Sequence, residues 1–89
     1  MHFVPGDLVK VDPARRRYVG AMLYERPLSE LSTRPNEVIA FIGFDEILMI
    51  VSVHRPYKDS DDDLFVVTSA GDIGWIGSWN LCKCDHLNL

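Results

Sequence analysis

Apolar residues recur along most of this chain with a period of two, and no segment shows the 3.6-residue period of an amphipathic helix. Because successive side chains of an extended strand point to opposite faces, this spacing is typical of β-strands. Gly, Pro, Asp and Asn separate the apolar segments at intervals of about eight to twelve residues. The pattern predicts an all-β fold, a small barrel of five to six strands in a single domain that spans residues 1–89.

The predicted strands are short runs of β-branched, aliphatic or aromatic residues bounded by turn residues. They cover residues 7–12, 37–42, 46–55, 64–69, 72–76 and 81–85. A weaker segment, 18–24, is expected to pair with 37–42 as a protruding hairpin, since a structureless loop of that length is uncommon in a small domain. A tight turn that needs a positive φ is expected around Gly71, and a short turn at 77–80.

Segment 46–55 is apolar on both faces in its first half, which predicts a central strand that is covered on both sides. Its face with Met49, Val51 and Val53 is expected in the core, and Trp75 is expected to plug the barrel. The other predicted core positions are Leu8 or Val9, Val11, Ile39, Phe41, Val66, Ile76 and Leu81.

Charge is unevenly distributed along the chain, although the net charge is only −4. Residues 1–34 hold six cations and four anions, whereas residues 35–89 hold three cations and nine anions. The acidic balance disfavours a protein that coats nucleic acid. The basic cluster 15–17 and the acidic segment 59–63 are expected on solvated loops. A dipolar surface that orients a charged partner, or that pairs with a second copy, is the alternative.

The sequence also bears on the compartment of the protein. The longest wholly apolar runs, 47–51 among them, have five residues, far fewer than a bilayer span needs. The first residues show neither the basic nor the apolar region of a secretory signal. Two cysteines in the spacing Cys82-Lys83-Cys84 provide no disulfide framework. We therefore expect a cytoplasmic protein without a membrane segment.

Two stretches resemble SH3-type barrels. Residues 74–81, Gly-Trp-Ile-Gly-Ser-Trp-Asn-Leu, are similar to the end of such a barrel, where a strand leads through a 3₁₀ turn into the last strand. Residues 6–11, Gly-Asp-Leu-Val-Lys-Val, resemble the first strand of bacterial and phage-encoded SH3-like barrels. The resemblance implies an expanded RT-type hairpin in the interval 13–45. Gly77 and Asn80 replace the Pro and the ligand-facing Tyr of the family, so the resemblance implies the barrel rather than a groove for proline-rich peptides.

No motif in the chain supports catalysis, a cofactor or a metal. Cys82, Cys84 and His86 share one face of the last predicted strand, with His54 or His2 as a conceivable fourth ligand, but the spacing differs from a zinc knuckle. Segment 59–63 lacks the Gly and Glu that a calcium loop requires at its sixth and twelfth positions. No Ser or Cys stands in a nucleophile turn. The sequence predicts a protein that is not an enzyme and holds no cofactor.

Aromatic residues at the predicted strand ends and loops indicate a binding surface, because exposed Trp and Tyr dominate interface hot spots. The predicted binding residues are Tyr18, Tyr24, Tyr57 and Trp79, flanked by Arg15, Arg16 and Arg17. We expect a non-catalytic module that binds another protein. The alternatives are a nucleic-acid-binding barrel, in which the arginines grip phosphates, and a structural subunit of a larger, virion-type assembly. A second copy of the chain is a further candidate partner.

A chelator is expected to leave the thermal unfolding of this protein unchanged, because a structural zinc ion would contribute its binding free energy to folding. The measurement is a thermal melt with and without EDTA. A large fall in Tm would instead identify Cys82, Cys84 and His86 as metal ligands.

Overall fold

Seven antiparallel β-strands form one sheet in the computed structural model, which describes residues 3–15, 20–29, 34–55 and 62–84. The strands are β1 (Leu8–Val11), β2 (Gly20–Tyr24), β3 (Val38–Gly43), β4 (Leu48–His54), β5 (Asp63–Thr68), β6 (Ile73–Gly77) and β7 (Leu81–Lys83). Within the described ranges the helical segments are two 3₁₀ turns, Pro13–Arg15 and Ser78–Asn80. The all-β prediction is confirmed. No helix in this part of the chain is long and apolar enough to span a bilayer.

The strands lie in the order β3, β2, β6, β5, β4, β1, β7, and the sheet curls into a half-barrel. Strands β4, β5 and β6 form a meander, and β7 returns beside β1. The predicted pairing of β2 with β3 is confirmed. The prediction of five to six strands is wrong, because β2 also pairs with β6 through Tyr24 opposite Trp75 and so extends the main sheet.

The predicted turns are present. Gly71 has φ +93° in the turn between β5 and β6, a conformation that glycine adopts without strain. The Thr68 carbonyl accepts a hydrogen bond from the Gly71 amide at 3.0 Å. The Thr68 amide donates one to the Asp72 carbonyl at 2.8 Å. The turn predicted at 77–80 is the 3₁₀ segment Ser78–Asn80, which leads directly into β7.

The turn before β1 is held by the carboxylate of Asp7. It accepts a hydrogen bond from the Val4 amide at 3.0 Å, and the Lys83 ammonium of β7 lies 3.3 Å away. The Val4 amide first, and then Lys83, hold the pKa of Asp7 below its ordinary value against the opposing effect of burial. This carboxylate therefore ties the entry of the first strand to the last strand.

The core lies on the concave face of the sheet, to which every strand contributes side chains from alternate positions. Its buried members are Phe3, Val9, Val11, Ala21, Leu23, Ile42, Leu48, Ile50, Leu64, Val66, Ile76 and Leu81. The predictions for Val9, Val11, Val66, Ile76 and Leu81 are confirmed, and Val53 packs against this cluster from a half-buried position.

Four predicted core residues lie outside: Ile39, Phe41, Met49 and Val51 are exposed. In β4 it is Leu48 and Ile50 that enter the core, so the predicted face was the wrong one. The sequence pattern could not distinguish the two faces because both are apolar. An irregularity between Ile50 and Ser52 then changes the parity of the strand, so that Val53 turns back toward the core.

Gly74 marks the closest approach of β6 to β2. A Cβ at this position would lie 3.0 Å from the Cβ of Leu23 and 3.1 Å from the carbonyl oxygen of Tyr24. Because one of these neighbours is backbone, a side chain here would push the hairpin away from the meander.

We expect Gly74→Ala to lower the free energy of unfolding by about 1–3 kcal/mol through overpacking, which corresponds to a Tm decrease of roughly 4–8 °C per kcal/mol. Gly43→Ala is the matched control, because nothing lies within 4 Å of a Cβ there and its φ is unexceptional. Chemical denaturation of both variants measures the effect. Equal stabilities of the two variants would contradict the close contact.

Candidate binding surface

The convex face of the sheet carries a row of four aliphatic side chains, of which three are exposed and one, Val67, is half-buried. Leu8 lies opposite Met49, Met49 opposite Val67, and Val67 opposite Ile73. These four residues, here called the aliphatic row, cross β1, β4, β5 and β6. Leu8, Met49 and Ile73 are 42%, 43% and 51% exposed. The face of a sheet that is exposed to water normally has polar residues at such positions, so this apolar row is a candidate contact surface.

An aromatic row lies one pair further along β5 and β6 and continues onto β2. Phe65 is opposite Trp75, and Trp75 is opposite Tyr24. The rings of Phe65 and Trp75 are tilted at 46° with centroids 5.0 Å apart, a favourable geometry for an aromatic pair. The Tyr24 hydroxyl lies 3.9 Å from the sulfur of Met22, which is exposed on β2. The prediction that Trp75 plugs the core is wrong, because its neighbours Gly74 and Ile76 face the core and it points the other way.

Trp79 extends the aromatic row beyond the end of β6. A Cβ on Gly77 would lie 2.7 Å from Nε1 and 2.9 Å from Cδ1 of Trp79, so the indole occupies the space above this glycine. The Leu28 side chain borders the same space, at 3.5 Å. Gly77 and Trp75 are two residues apart on one face of β6, so the indole of Trp79 lies over a position about 7 Å along the strand from Trp75.

Hydrogen bonds hold the two segments that border this end of the row. The amide of Ser29 donates to the Asp63 carboxylate at 3.3 Å, and the Ser29 hydroxyl donates to the same oxygen. The amide of Asp62 donates to the Ser78 hydroxyl at 3.0 Å, and the Ser78 amide donates to the Asp62 carbonyl at 2.9 Å. Trp79 therefore stands on a turn that is fixed at its first residue.

The acidic segment 59–63 was expected to be solvated, and its last residue is not. Asp63 is only 4% exposed and begins β5, where its carboxylate is satisfied by Ser29. The Asp62 carboxylate forms an ion pair with Arg55, with 3.1 Å between Asp62 Oδ1 and Arg55 Nε. Both carboxylates bind neighbouring segments of this chain and so hold those segments in place beside the surface.

A charged pocket adjoins the Tyr24 end of the aromatic row. Its volume is about 240 Å³, and it is lined by Glu25, Arg26, Arg34, Pro35 and Glu37. The Arg26 guanidinium donates to the carbonyl oxygens of Arg34 and Pro35 at 2.8 and 2.7 Å. The side-chain amide of Asn36 donates a hydrogen bond to the Arg26 carbonyl oxygen, and its side-chain oxygen accepts one from the backbone amide of Arg26. The base of the β2–β3 hairpin is thus closed by hydrogen bonds and carries two charges of each sign.

The structure places two of the predicted binding residues on the convex side: Tyr24 lies on β2 opposite Trp75, and Trp79 lies on the turn that follows β6. Arg15 is described only through its backbone in the Pro13–Arg15 turn. The other four predicted residues, Arg16, Arg17, Tyr18 and Tyr57, lie outside the described residues. The charged rim that the sequence assigned to Arg15–Arg17 is supplied, among the described residues, by the pocket beside Tyr24.

Sequence reasoning missed the members of both rows other than Tyr24. The sequence contains a signal for these rows, because β4 and β5 have apolar residues at successive positions. Side chains at successive positions point to opposite faces, so one apolar set on each strand must face outward from a curled sheet. The sequence predicts that segment 46–55 is covered on both sides, whereas among the described residues Met49 and Val51 on its convex face are exposed.

No group of three metal-ligating side chains forms among the described residues. Cys82 is half-buried and Cys84 is buried. His2 and His86, which the sequence offered as ligands, lie outside the described residues, so the absence of a metal stays a prediction. Comparison of the chain with family models, curated proteins and solved structures finds no match.

Trp79→Ala is expected to lower the free energy of unfolding by only about 1 kcal/mol, because the indole is 41% exposed. Ile76→Ala, which truncates a fully buried side chain of the adjoining strand, serves as the reference and should cost about 2–5 kcal/mol. Thermal melts of the two variants give the comparison. A loss for Trp79→Ala as large as that for Ile76→Ala would assign the indole to the core.

Proposed function

We propose that this protein is a non-catalytic binding module that presents the aromatic row and Trp79 to a segment of another protein. The observation that carries the proposal is the register of Tyr24, Trp75 and Phe65, which lines three aromatic rings across neighbouring strands on an outward face. Aromatic side chains offer a large contact area at a small cost in conformational entropy.

The rigidity of the surface supports binding. Tyr24, Phe65 and Trp75 are carried on paired strands, and the Trp79 turn is tied to the start of β5 through Ser78 and Asp62. A side chain that is already ordered loses little freedom when a partner binds, so more of the contact energy appears as affinity.

The charges around the surface favour a protein partner over nucleic acid. The pocket beside Tyr24 holds two arginines and two glutamates, so it has no net charge to attract phosphates. An aromatic centre with a mixed charged rim is the usual anatomy of a protein interface. The partner segment should present apolar side chains to the rings and a charged group to the pocket.

Two features support the finer proposal of an SH3-like barrel. The 3₁₀ turn Ser78–Asn80 leads from β6 directly into the last strand, and the β2–β3 hairpin stands between the first strand and the meander, where the resemblance places the RT-type hairpin. The proposed surface lies between this hairpin and the 3₁₀ turn.

The proposal predicts that peptides selected from a random library on the immobilised protein bind the aromatic row. Tyr24→Ala and Trp79→Ala should each weaken the affinity of a selected peptide at least tenfold, as expected for hot-spot residues. Isothermal titration calorimetry measures the Kd, at protein concentrations in the low micromolar range.

Val4→Ala is the control, because Val4 is exposed but belongs to the turn before β1, at the far side of the sheet from β2 and β6. It should leave the Kd unchanged. Selected peptides that bind both aromatic variants as tightly as the wild type would overturn the proposal. A steep loss of single-stranded DNA binding with rising salt would favour the nucleic-acid alternative instead.

A further inference from the structure

The two outer strands of the sheet, β3 and β7, differ in how they are protected from pairing with another chain. β7 has three residues, and its Lys83 side chain forms the ion pair with Asp7. β3 has six residues, Val38–Gly43, and contains neither a charged residue nor a proline. Native proteins usually shorten an outer strand or place charges on it, because its outward backbone groups can pair with a further strand. β3 carries neither of these protections.

We infer that the partner segment binds as an added strand, which extends along β3 and pairs with its outward backbone groups. Among the described strands β3 pairs with β2 alone. Every pair in this part of the sheet is antiparallel, so an antiparallel segment continues the same pattern. The inference rests on the proposed function, because it specifies how the segment that contacts the aromatic row is held.

The aromatic row leads to this edge of the sheet. Tyr24, its last member, lies opposite Val38 of β3, and Met22 lies opposite Phe41. Val38 and Phe41 are 52% and 51% exposed. Side chains of an added strand that point to the convex side would lie beside these two residues, and so would continue the surface that begins at Phe65.

The concave side of β3 is also incompletely covered. Ile39 is the extra residue of a bulge in the pairing with β2, and its Cδ1 lies 3.4 Å from where a Cβ on the core-facing Gly74 would be. Ile39 is nevertheless 45% exposed, whereas Ile42 further along the strand is 1% exposed. Beyond the bulge, residues 40–43 pair with β2 in regular register. An added strand would cover Ile39, so the partner segment should be apolar on both of its faces.

The charges beyond the two ends of β3 indicate the orientation of the segment. Asp45 and Glu46 follow β3, and both are exposed. At the other end of β3 lies the charged pocket, whose two arginines and two glutamates cancel. An antiparallel strand begins beside the carboxyl end of β3, so a Lys or Arg at its amino end would lie near Asp45 and Glu46. The partner chemistry is therefore an extended apolar segment that follows a basic residue.

Methylation of the backbone nitrogens of a bound peptide tests the inference. The probe is the tightest peptide from the library selection, synthesised with one N-methyl group at a time. In an antiparallel pair, successive N–H groups of a strand point alternately toward the neighbouring strand and away from it. Every second N-methyl group should therefore raise the Kd about tenfold, and the intervening ones about threefold or less. Isothermal titration calorimetry measures the Kd of each peptide.

A substitution on β3 tests where the peptide lies. Phe41→Lys should raise the Kd of the same peptide about tenfold, because it replaces an apolar contact of the added strand by a charge. Met49→Lys is the matched control, because Met49 is also exposed on the convex face but lies on β4, four strands from β3. It should leave the Kd within about threefold of wild type. Circular dichroism confirms that both variants are folded, and the N-methyl series needs no variant of the protein.

A charge exchange tests the orientation. The double variant Asp45→Lys, Glu46→Lys should raise the Kd of the selected peptide about fivefold, because it repels the basic residue at the amino end of the peptide. A peptide with Glu in place of that basic residue should recover the affinity for the double variant. An unchanged Kd in the double variant would contradict the antiparallel orientation.

An N-methyl series without alternation overturns the inference, and so does an equal effect of Phe41→Lys and Met49→Lys. If Tyr24→Ala weakens binding but the N-methyl series is flat, the proposed function stands and strand addition alone is rejected. If the series alternates while Tyr24→Ala and Trp79→Ala bind as tightly as wild type, strand addition is supported and the aromatic row is rejected. A dimer that Phe41→Lys dissociates would show a second copy on β3 and also overturn the inference.

Discussion

The architecture depends on one constraint: a single curled sheet has only one concave side in which to bury side chains. Side chains from alternate positions of β1 to β6 meet there with Leu81 of β7 and with Phe3, which precedes β1, and together they form the described core. The other parity points outward and has no second layer of this chain above it within the described residues. In a larger domain a helix or second sheet covers such a face. Here the aliphatic and aromatic rows are left at the surface by the topology, and their chemistry determines what the protein can bind.

The period-two pattern was sufficient to place the strands, because β propensity, turn residues and the absence of a helical period all agreed. The seven segments that the sequence singled out correspond to the seven strands of the sheet, including the weak segment that became β2. The parity of β4 could not be predicted. Leu48 and Ile50 are not distinguishable from Met49 and Val51 by hydrophobicity, and the bulge that follows depends on how β5 pairs with the strand.

Residue type alone predicts part of the candidate site, namely which aromatic side chains lie at the surface. Tyr24 and Trp79 were recognised as surface aromatics, and both lie on the convex face. Trp75 was assigned to the core because a tryptophan on a short strand is usually packed, but here Gly74 and Ile76 take the inward positions of β6. The pairing of Trp75 with Phe65 and Tyr24 arises from long-range register, which no local pattern encodes. The buried carboxylate of Asp63 was missed for the same reason, since its partner Ser29 is distant in sequence.

The arrangement of the two indoles has a practical consequence. The chain contains two tryptophans, and both stand on the convex side of β6 or on the turn that follows it, with Gly77 between them. The concave core contains neither. The tryptophan fluorescence of the native protein therefore originates on the outward face. Any molecule that settles on this face changes the spectrum directly, so the protein carries an intrinsic optical reporter of its own outer surface.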